Sequence, residues 1–184
     1  MSAEAVYTTN KRKDDVFMSA TREDAIERLL THYQEPYCCA KHPDTPSDHL
    51  AATAFMHLIS DRKLLSIAKT GIVESDDFVY IYSVNELTPE VFERFCTEAM
   101  TDGLKRVDPN PNHNFSLISV FFICDNLTAQ ANTALKKMKY HKNYEKPEHG
   151  WVDLRLAAVD VTGGGRCANP MGKALLNIYK ASLS

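Results

Sequence analysis

Hydrophobic residues cluster most strongly in the second half of the chain, where their spacing changes from strand-like to helical and back. Residues 115–124 are apolar on both alternating faces, as expected of a strand that is covered on both sides. Residues 128–141 carry apolar side chains at helical spacing, and residues 151–161 again have the pattern of a strand. A strand–helix–strand unit of this length normally forms a right-handed crossover between parallel strands. We therefore predict two parallel strands that begin at the same edge of the sheet.

Shorter patterns on either side of this unit predict the remaining elements. Thr21 is a suitable N-cap for a helix that Pro36 ends. We predict helices over 22–33, 48–59 and 88–103, strands over 64–74 and 78–84 joined by a hairpin turn at 75–77, and a last helix capped by Asn169. This order predicts an α/β or α+β fold, in which a mixed sheet of about four or more strands combines a hairpin with the parallel strand–helix–strand unit and is covered by helices.

Length and composition fit this architecture. The chain has 184 residues, of which 44% are hydrophobic, so we expect a single domain over residues 21–184. Residues 1–20 have little hydrophobic periodicity and are predicted to form a disordered N-terminal arm. A net charge of −3 favours neither nucleic acid nor anionic lipid, and no apolar run reaches the roughly 20 residues of a membrane helix. Five irregularly spaced cysteines indicate a reducing compartment, which predicts a cytoplasmic protein.

Two histidines precede the two parallel strands. His113 lies two residues before Phe115, and His149 lies two residues before Trp151. If the strands are neighbours in register, these histidines face each other at roughly 5 Å, and Asp153 can join them. Two imidazoles and a carboxylate suit zinc or iron(II), or an acid–base pair, whereas the simpler interpretation is a pair of surface-loop histidines. The candidate catalytic residues are therefore His113, His149 and Asp153, and the candidate metal ligands are His113 and His149.

The opposite edge of the sheet offers a different site. Open α/β sheets bind ligands beyond the carboxyl ends of their strands, where glycine-rich backbone and a helix N-terminus attract anions. The candidate ligand-binding residues at this edge are Asp125, Asp160, Gly163, Gly164, Gly165 and Arg166. The spacing is not that of a P-loop, because Ala174 follows Lys173 where Ser or Thr is required. A flexible connection between a strand and a helix is the simpler explanation of the glycines.

Cys38, Cys39 and His42 lie in a predicted loop over residues 36–46 and superficially resemble a metal site. Zinc sites space their cysteines by two or more residues and need a second pair of ligands, which this segment does not offer. No neighbouring residue is predicted to activate a thiol here. The role of these three residues is left open.

Basic residues concentrate between residues 136 and 146, with Tyr140 and Tyr144 interleaved among them. Aromatic and basic residues in this arrangement suit single-stranded nucleic acid. Lysines near a helix C-terminus are, however, favoured by the helix dipole alone, and the sequence offers no compensating basic surface elsewhere. A nucleic-acid partner is therefore not expected.

Asp153 and Arg155 share one face of an otherwise apolar strand. Isolated buried charges are costly, so this face is not plain core. A core ion pair with partners, or a strand face open to a cleft, explains the two charges equally well.

Three segments resemble an uncharacterised bacterial α/β domain family of unknown function. They are Phe78–Val84, the stretch from Asp102 and Gly103 to His113, and His149–Asp153. The resemblance covers roughly residues 60–180. It implies no activity and carries no catalytic residues over to this chain.

Three hypotheses about function follow, and whether the protein is an enzyme or needs a cofactor is left open. The first is a binding module for a small anionic ligand or a protein partner, using the carboxyl edge. The second is a metal-assisted hydrolase or nuclease-like enzyme, in which His113, His149 and Asp153 activate water. The third is an interaction protein that works as a homo-oligomer through an exposed row of Phe78, Tyr80 and Tyr82.

Overall fold

The computed structural model describes residues 21–41, 49–64, 68–144 and 149–183. Within these ranges, four helices and one sheet of seven strands are present. The helices are α1 (Arg22–Leu30), α2 (Pro89–Arg106), α3 (Ala129–Lys137) and α4 (Lys173–Ala181). The strands are β1 (Tyr37–Lys41), β2 (Leu50–Leu64), β3 (Ala68–Leu87), β4 (His113–Leu127), β5 (His141–Asn143), β6 (Trp151–Asp160) and β7 (Arg166–Ala168). No helix of the described residues is both long and apolar enough to cross a membrane. The predicted N-terminal arm lies outside the described residues.

The sheet is mixed, as the sequence predicts. Its strand order is β1-β2-β3-β4-β6-β5, and β7 also pairs with β6. β3, β4 and β6 are parallel neighbours, whereas β1, β2, β5 and β7 pair antiparallel. Phe115 lies opposite Trp151 and Cys124 lies opposite Asp160. The predicted parallel unit is therefore confirmed, its two strands are direct neighbours, and the fold is of the α+β class.

Helices cover both faces of the sheet. α2 and α3 pack on one face, which we call the α2/α3 face, and their buried side chains include Phe92, Phe95, Ala131 and Leu135. α1 and α4 pack on the other, the α1/α4 face, through Ile26, Leu29, Leu175 and Tyr179. The row of Phe78, Tyr80 and Tyr82 is buried in the core of the α2/α3 face. It is therefore not the exposed oligomer surface of the third hypothesis.

The predicted helix over residues 48–59 is wrong, because the described residues from Leu50 onward form strand β2. The alanines that favour a helix alternate along the strand instead. Ala52 and Ala54 are buried on the α1/α4 face, while Phe55 packs against the core of the α2/α3 face. Packing across two faces outweighs the intrinsic helix propensity of alanine, which amounts to only tenths of a kcal/mol per residue.

The predicted hairpin turn at residues 75–77 is also wrong, because these residues lie in the middle of strand β3. A polar triplet inside a strand is stable here since its side chains find partners. Asp76 pairs with His57 on β2, and Asp77 pairs with Arg155 on β6. β2 and β3 do pair antiparallel, and residues 65–67 between them lie outside the described residues.

Two further predictions need correction. The predicted loop over residues 36–46 contains strand β1, which pairs antiparallel with β2, while His42 lies outside the described residues. The last helix begins at Lys173, after Gly172 as the N-cap residue, rather than at Pro170. Asn169 is not the N-cap residue: its side chain accepts from the backbone N–H of Gly172, which is the N-cap, and also bonds the backbone of β6.

Candidate functional site

The acidic groups at the carboxyl edge are engaged by the protein itself. Asp125 forms an ion pair with Arg22 on α1, with 3.0 Å between Oδ2 and Nε. The carboxylate of Asp160 accepts hydrogen bonds from the backbone N–H groups of Thr162 (3.0 Å) and Gly163 (2.5 Å). One of the backbone donors that the sequence assigned to an external anion, the N–H of Gly163, therefore already bonds a carboxylate of this chain.

The remaining residues of the glycine loop shape a turn between β6 and β7. The carbonyl of Gly165 accepts a hydrogen bond from the backbone of Asp160 at 2.8 Å. Gly164 has a φ of +71°, a backbone conformation that residues other than glycine rarely adopt. The Arg166 guanidinium lies 5.3 Å from the ring centroid of Tyr179 on α4. These contacts account for the glycines and the arginine as structural features.

The two strand-leading histidines do lie side by side, but their rings do not pair. His113 Nδ1 lies 2.6 Å from the backbone carbonyl of His149. Asp153 accepts a hydrogen bond from His141 instead, at 2.7 Å. Within the described residues, no group of three or more histidine, cysteine or acidic side chains is arranged to hold a metal ion.

Ser116 completes a serine–histidine arrangement that the sequence did not reveal. The carbonyl of His149 can only accept, so His113 Nδ1 carries the hydrogen, and the neutral ring accepts at Nε2 from Ser116 Oγ at 2.8 Å. In an enzyme with an activated nucleophile, Ser116 would be the nucleophile, His113 its base, and the carbonyl of His149 the group that orients the base. Ser116 is completely buried, however, and His113 is 2% exposed. No substrate reaches the hydroxyl, so the pair stabilises the start of β4.

His141 and Asp153 face each other across the antiparallel pair β5–β6. The hydrogen bond that His141 donates to Asp153 is the main cause that raises the pKa of His141 above its usual value. A raised folded-state pKa means that the pair stabilises the fold below the unfolded-state pKa of about 6.5, and that this contribution is lost as the pH rises through the folded-state pKa.

We predict that Asp153→Asn lowers the pKa of His141. The substitution removes the carboxylate that favours the imidazolium, and an NMR titration of the His141 ring protons measures the change. Asp125→Asn, at the opposite edge of the sheet, is the control and leaves the titration of His141 unchanged. An identical titration curve in the Asp153→Asn protein contradicts the assignment.

A cleft of about 240 Å³ opens on the α2/α3 face at the amino edge of β4. We call it the amino-edge cleft. Its lining is Phe55, His57, Glu74, Asp76, Phe78, Arg106, Asp108, Asn110 and His113. Of these residues, only His113 was among the sequence-derived candidates, because the others converge through strand pairing and through the end of α2.

The floor of the amino-edge cleft consists of successive cross-strand pairs of β2 and β3. Phe55 lies opposite Phe78, and their rings stack with centroids 5.3 Å apart. His57 lies opposite Asp76, and His57 Nδ1 is 2.8 Å from Asp76 Oδ1. Pairs two residues apart on one face of a strand are separated by about 7 Å. The backbones of these two pairs are therefore about 7 Å apart along the strands.

The guanidinium of Arg106, at the end of α2, lies over these stacked rings. Its central carbon is 4.5 Å from the centroid of Phe78 and 5.0 Å from that of Phe55. Its ion pair with Asp102 is long, at 3.8 Å, and Asp102 also accepts a hydrogen bond from Tyr80 at 2.5 Å. Stacking on the two rings thus fixes the guanidinium of Arg106, and its ion pair with Asp102 is weak. The guanidinium is therefore suited to donate to an oxygen of a ligand.

Two further carboxylates, those of Glu74 on β3 and Asp108 in the loop after α2, line the cleft. The loop between α2 and β4 is ordered by Asn110, whose side-chain oxygen accepts from the backbone of Asn112 at 2.8 Å. The carbonyl of Asn112 in turn accepts from the backbone of Glu74 on β3. In the described part of the chain, neither the Glu74 nor the Asp108 carboxylate has a hydrogen-bond or ion-pair partner. The cleft therefore presents the guanidinium of Arg106, the carboxylate of Asp76 bonded to His57, and the two further carboxylates of Glu74 and Asp108.

A buried polar network crosses the α1/α4 face. Arg155 Nη2 is 2.5 Å from Asp77 Oδ2, and Ser119 Oγ donates to Asp77 Oδ1 at 2.6 Å. The hydroxyl of Tyr37 also donates to Asp77, at 2.8 Å, whereas the buried hydroxyl of Tyr33 has no hydrogen-bond partner among the described residues. Arg155 is thus a core cation with its own partner, separate from the pair that Asp153 forms.

The cysteines do not form a reactive site. Cys38 and Cys39 are exposed on β1, and the thiol of Cys39 donates to the carbonyl of Tyr33 at 2.6 Å. Desolvation raises the pKa of Cys39, which disfavours the nucleophilic thiolate. Burial likewise raises the pKa values of Cys96 and Cys124 to about 12.

A larger cleft of about 510 Å³ lies between α2 and α3. Its lining is Phe92, Glu93, Cys96, Thr97, Ala134, Lys137 and Met138. These side chains offer neither a histidine nor a stacked guanidinium. The amino-edge cleft therefore has the richer chemistry of the two.

The fold is a mixed-sheet α+β domain with a small cleft of mixed charge at the amino edge of its central parallel strands. Residues 21–181 match the family described as a domain of unknown function, DUF8052, and the chain belongs to this family. The predicted membership of an uncharacterised domain family is confirmed, while the bacterial origin stays a prediction. The comparison with curated proteins finds no match. The comparison with solved structures finds no match either.

Proposed function

We propose that this protein is a binding module for a small organic molecule that carries a carboxyl or carbonyl oxygen and an amine, as an amino acid does. The ligand occupies the amino-edge cleft. The observation that carries the proposal is the guanidinium of Arg106, stacked on Phe55 and Phe78 in the same cleft as the carboxylates of Glu74 and Asp108.

The chemistry of the cleft supports each part of this ligand. Arg106 supplies planar donors to a carboxyl oxygen, and its position is already fixed by stacking, which lowers the entropy lost on binding. Glu74 and Asp108 attract the ammonium group. A volume of about 240 Å³ suits a molecule of this size, since it lies below the 300–1,000 Å³ typical of drug-sized ligands.

The proposal keeps the small-ligand hypothesis but moves the ligand away from the carboxyl edge. An anion at Gly163–Arg166 stays a prediction, and it is less well supported because Asp160 already accepts from that loop. The metal-assisted hydrolase using His113, His149 and Asp153 also stays a prediction. It is disfavoured because His113 bonds the backbone of residue 149 and Asp153 bonds His141.

We also propose a cytoplasmic location. The five cysteines are free thiols, and three of them, Cys96, Cys124 and Cys167, are buried without forming disulfides. Free buried thiols are typical of a reducing compartment.

Arg106→Gln is expected to weaken binding of the ligand by about ten- to hundred-fold. A charged hydrogen bond contributes about 1.5–3 kcal/mol, which corresponds to that change in dissociation constant. Isothermal calorimetry with a panel of amino acids and amino-acid amides measures the effect. Arg94→Gln is the matched control, because Arg94 lies on the same helix and also stacks on a phenylalanine, Phe95, but lines a different cleft.

Two results contradict this proposed function. One is equal binding of ligands that have only an amine or only a carboxylate, since the cleft is expected to require both. The other is an equal loss of affinity in the Arg94→Gln and Arg106→Gln proteins.

A further inference from the structure

His57 and Asp76 form a hydrogen-bonded pair at the surface of the amino-edge cleft. His57 Nδ1 lies 2.8 Å from Asp76 Oδ1. The ionised carboxylate of Asp76 only accepts, so the hydrogen of this bond is on His57 Nδ1. In the neutral ring, Nε2 then carries the lone pair that accepts a proton. The His57 side chain is 42% exposed and that of Asp76 is 14% exposed. The base is therefore open to a ligand while the carboxylate that orients it is mostly shielded.

The spacing between His57 and Arg106 leaves room for one reacting group. The guanidinium lies over the Phe55–Phe78 pair, about 7 Å along the strands from the His57–Asp76 pair. A water molecule bonded to Nε2 lies about 3 Å from the ring, and a carbonyl carbon in position for attack lies about 3 Å further on. The oxygen of that carbonyl then points toward Arg106.

We propose that the amino-edge cleft hydrolyses small carboxylic esters, with His57 as the general base. The inference rests on the proposed function, because the substrate is an ester of the same amine-bearing acid. Water attacks the ester carbonyl as it gives a proton to His57 Nε2, and a tetrahedral oxyanion forms. The bond to the alkoxy oxygen then breaks, the proton on Nε2 passes to that oxygen, and a carboxylic acid and an alcohol leave.

Two other residues support this step. Arg106 donates to the oxyanion that forms on the carbonyl oxygen, and such stabilisation is often the largest contribution to acyl transfer. Asp76 is a positioning residue: it holds the Nδ1 tautomer of His57 and stabilises the imidazolium after proton transfer. The carboxylates of Glu74 and Asp108 line the same cleft as His57.

A second histidine–aspartate pair of similar geometry lies elsewhere in the described part of the chain. It serves as a control for ester hydrolysis by any exposed imidazole. His141 and Asp153 are also opposite residues of an antiparallel strand pair, with 2.7 Å between Nδ1 and Oδ1. Their side chains are 52% and 11% exposed, similar to those of His57 and Asp76. This second pair lies outside the amino-edge cleft and away from Arg106, and it differs further in that His141 Nε2 lies 3.2 Å from Asn143 Oδ1.

The test follows p-nitrophenol release from glycine p-nitrophenyl ester by the full-length protein and its variants. His57→Gln is expected to lower kcat/KM by about 100-fold, the size of a typical general-base contribution. Asp76→Asn is expected to lower kcat while leaving KM nearly unchanged, a split that a purely structural role does not produce. His141→Gln is expected to keep the wild-type rate. Circular dichroism and thermal unfolding establish that each variant is folded.

Equal rates in the wild-type, His57→Gln and His141→Gln proteins overturn the inference, as does an equal loss in both histidine variants. Binding of glycinamide, an unreactive analogue measured by calorimetry, tests the proposed function separately. If glycinamide binding depends on Arg106 but no hydrolysis depends on His57, the proposed hydrolysis is wrong and the proposed ligand binding is supported. A third outcome is hydrolysis that depends on His57, together with equal turnover of p-nitrophenyl acetate and no binding of glycinamide. This outcome supports His57 as the general base and overturns the proposed amine-bearing ligand class.

Discussion

Replacing Arg155 by methionine is expected to lower the free energy of unfolding by about 3–5 kcal/mol. The substitution leaves the carboxylate of Asp77, which is 1% exposed, without a cation, and an uncompensated buried charge is among the costliest single changes in a protein. Ser119 and Tyr37 still donate to that carboxylate, but neither carries a charge. Urea denaturation followed by circular dichroism measures the loss.

Two comparisons identify the buried charge as the cause of this loss. The double variant Asp77→Asn/Arg155→Met removes both charges and is expected to be more stable than Arg155→Met alone. Lys41→Gln breaks an exposed ion pair with Glu27 and is expected to change stability by less than about 1 kcal/mol. A loss in Arg155→Met that is no larger than that of Lys41→Gln contradicts a stabilising role for the pair.

Asn169→Ala is expected to destabilise the fold by roughly 3 kcal/mol or more, because its side chain connects three elements. Its Oδ1 accepts from the backbone of Leu156 (3.0 Å) and Gly172 (2.6 Å), and its Nδ2 donates to the carbonyls of Leu154 (3.0 Å) and Met138 (3.2 Å). Each buried backbone group that loses its partner costs about 1–3 kcal/mol. Thermal and urea unfolding measure the change.

Asn126→Ala provides the matched control for this substitution. Asn126 is exposed and makes a single side-chain hydrogen bond, from Nδ2 to Glu86 at 2.6 Å, so its loss is expected to cost less than about 0.5 kcal/mol. Similar unfolding midpoints for the two variants show that the Asn169 side chain does not hold α4 to the sheet.

The sequence predicted the central sheet well because the relevant signals are local. Continuous apolar runs before and after α3 identified β4 and β6, and the length of the connection required parallel strands. The register of Phe115 opposite Trp151 follows from where each run begins. Residues 113 and 149 are accordingly close together, as the register requires. The ring of His113 contacts the backbone carbonyl of His149 rather than its ring.

The β2–β3 hairpin was mispredicted for a physical reason. Ala52 and Ala54 are small because α1 packs on the sheet there, and alanine in a helix-length run is otherwise the strongest helix signal. Asp76 and Asp77 resembled a turn because their partners, His57 and Arg155, lie on other strands. Pairing between distant segments overrides local preference at these positions.

The same cause explains why the sequence pointed mainly to other residues for the site. Phe55, His57 and Asp76 come together only through the antiparallel register of β2 and β3, and Arg106 reaches them from the end of a helix. The segment Phe55-Met56-His57-Leu58-Ile59 shows no polar–apolar alternation that would have identified a strand, so nothing local placed His57 beside Phe55 on a sheet face.

The most direct test of a ligand site at the amino-edge cleft is chemical-shift mapping. Uniformly ¹⁵N-labelled protein is titrated with glycinamide, and the backbone amide shifts are followed by two-dimensional NMR. The proposed site predicts saturable shifts that cluster at His57, Asp76 and Arg106, and that disappear in the Arg106→Gln protein. Shifts confined to the loop from Thr162 to Arg166, or no saturable shifts at all, contradict it.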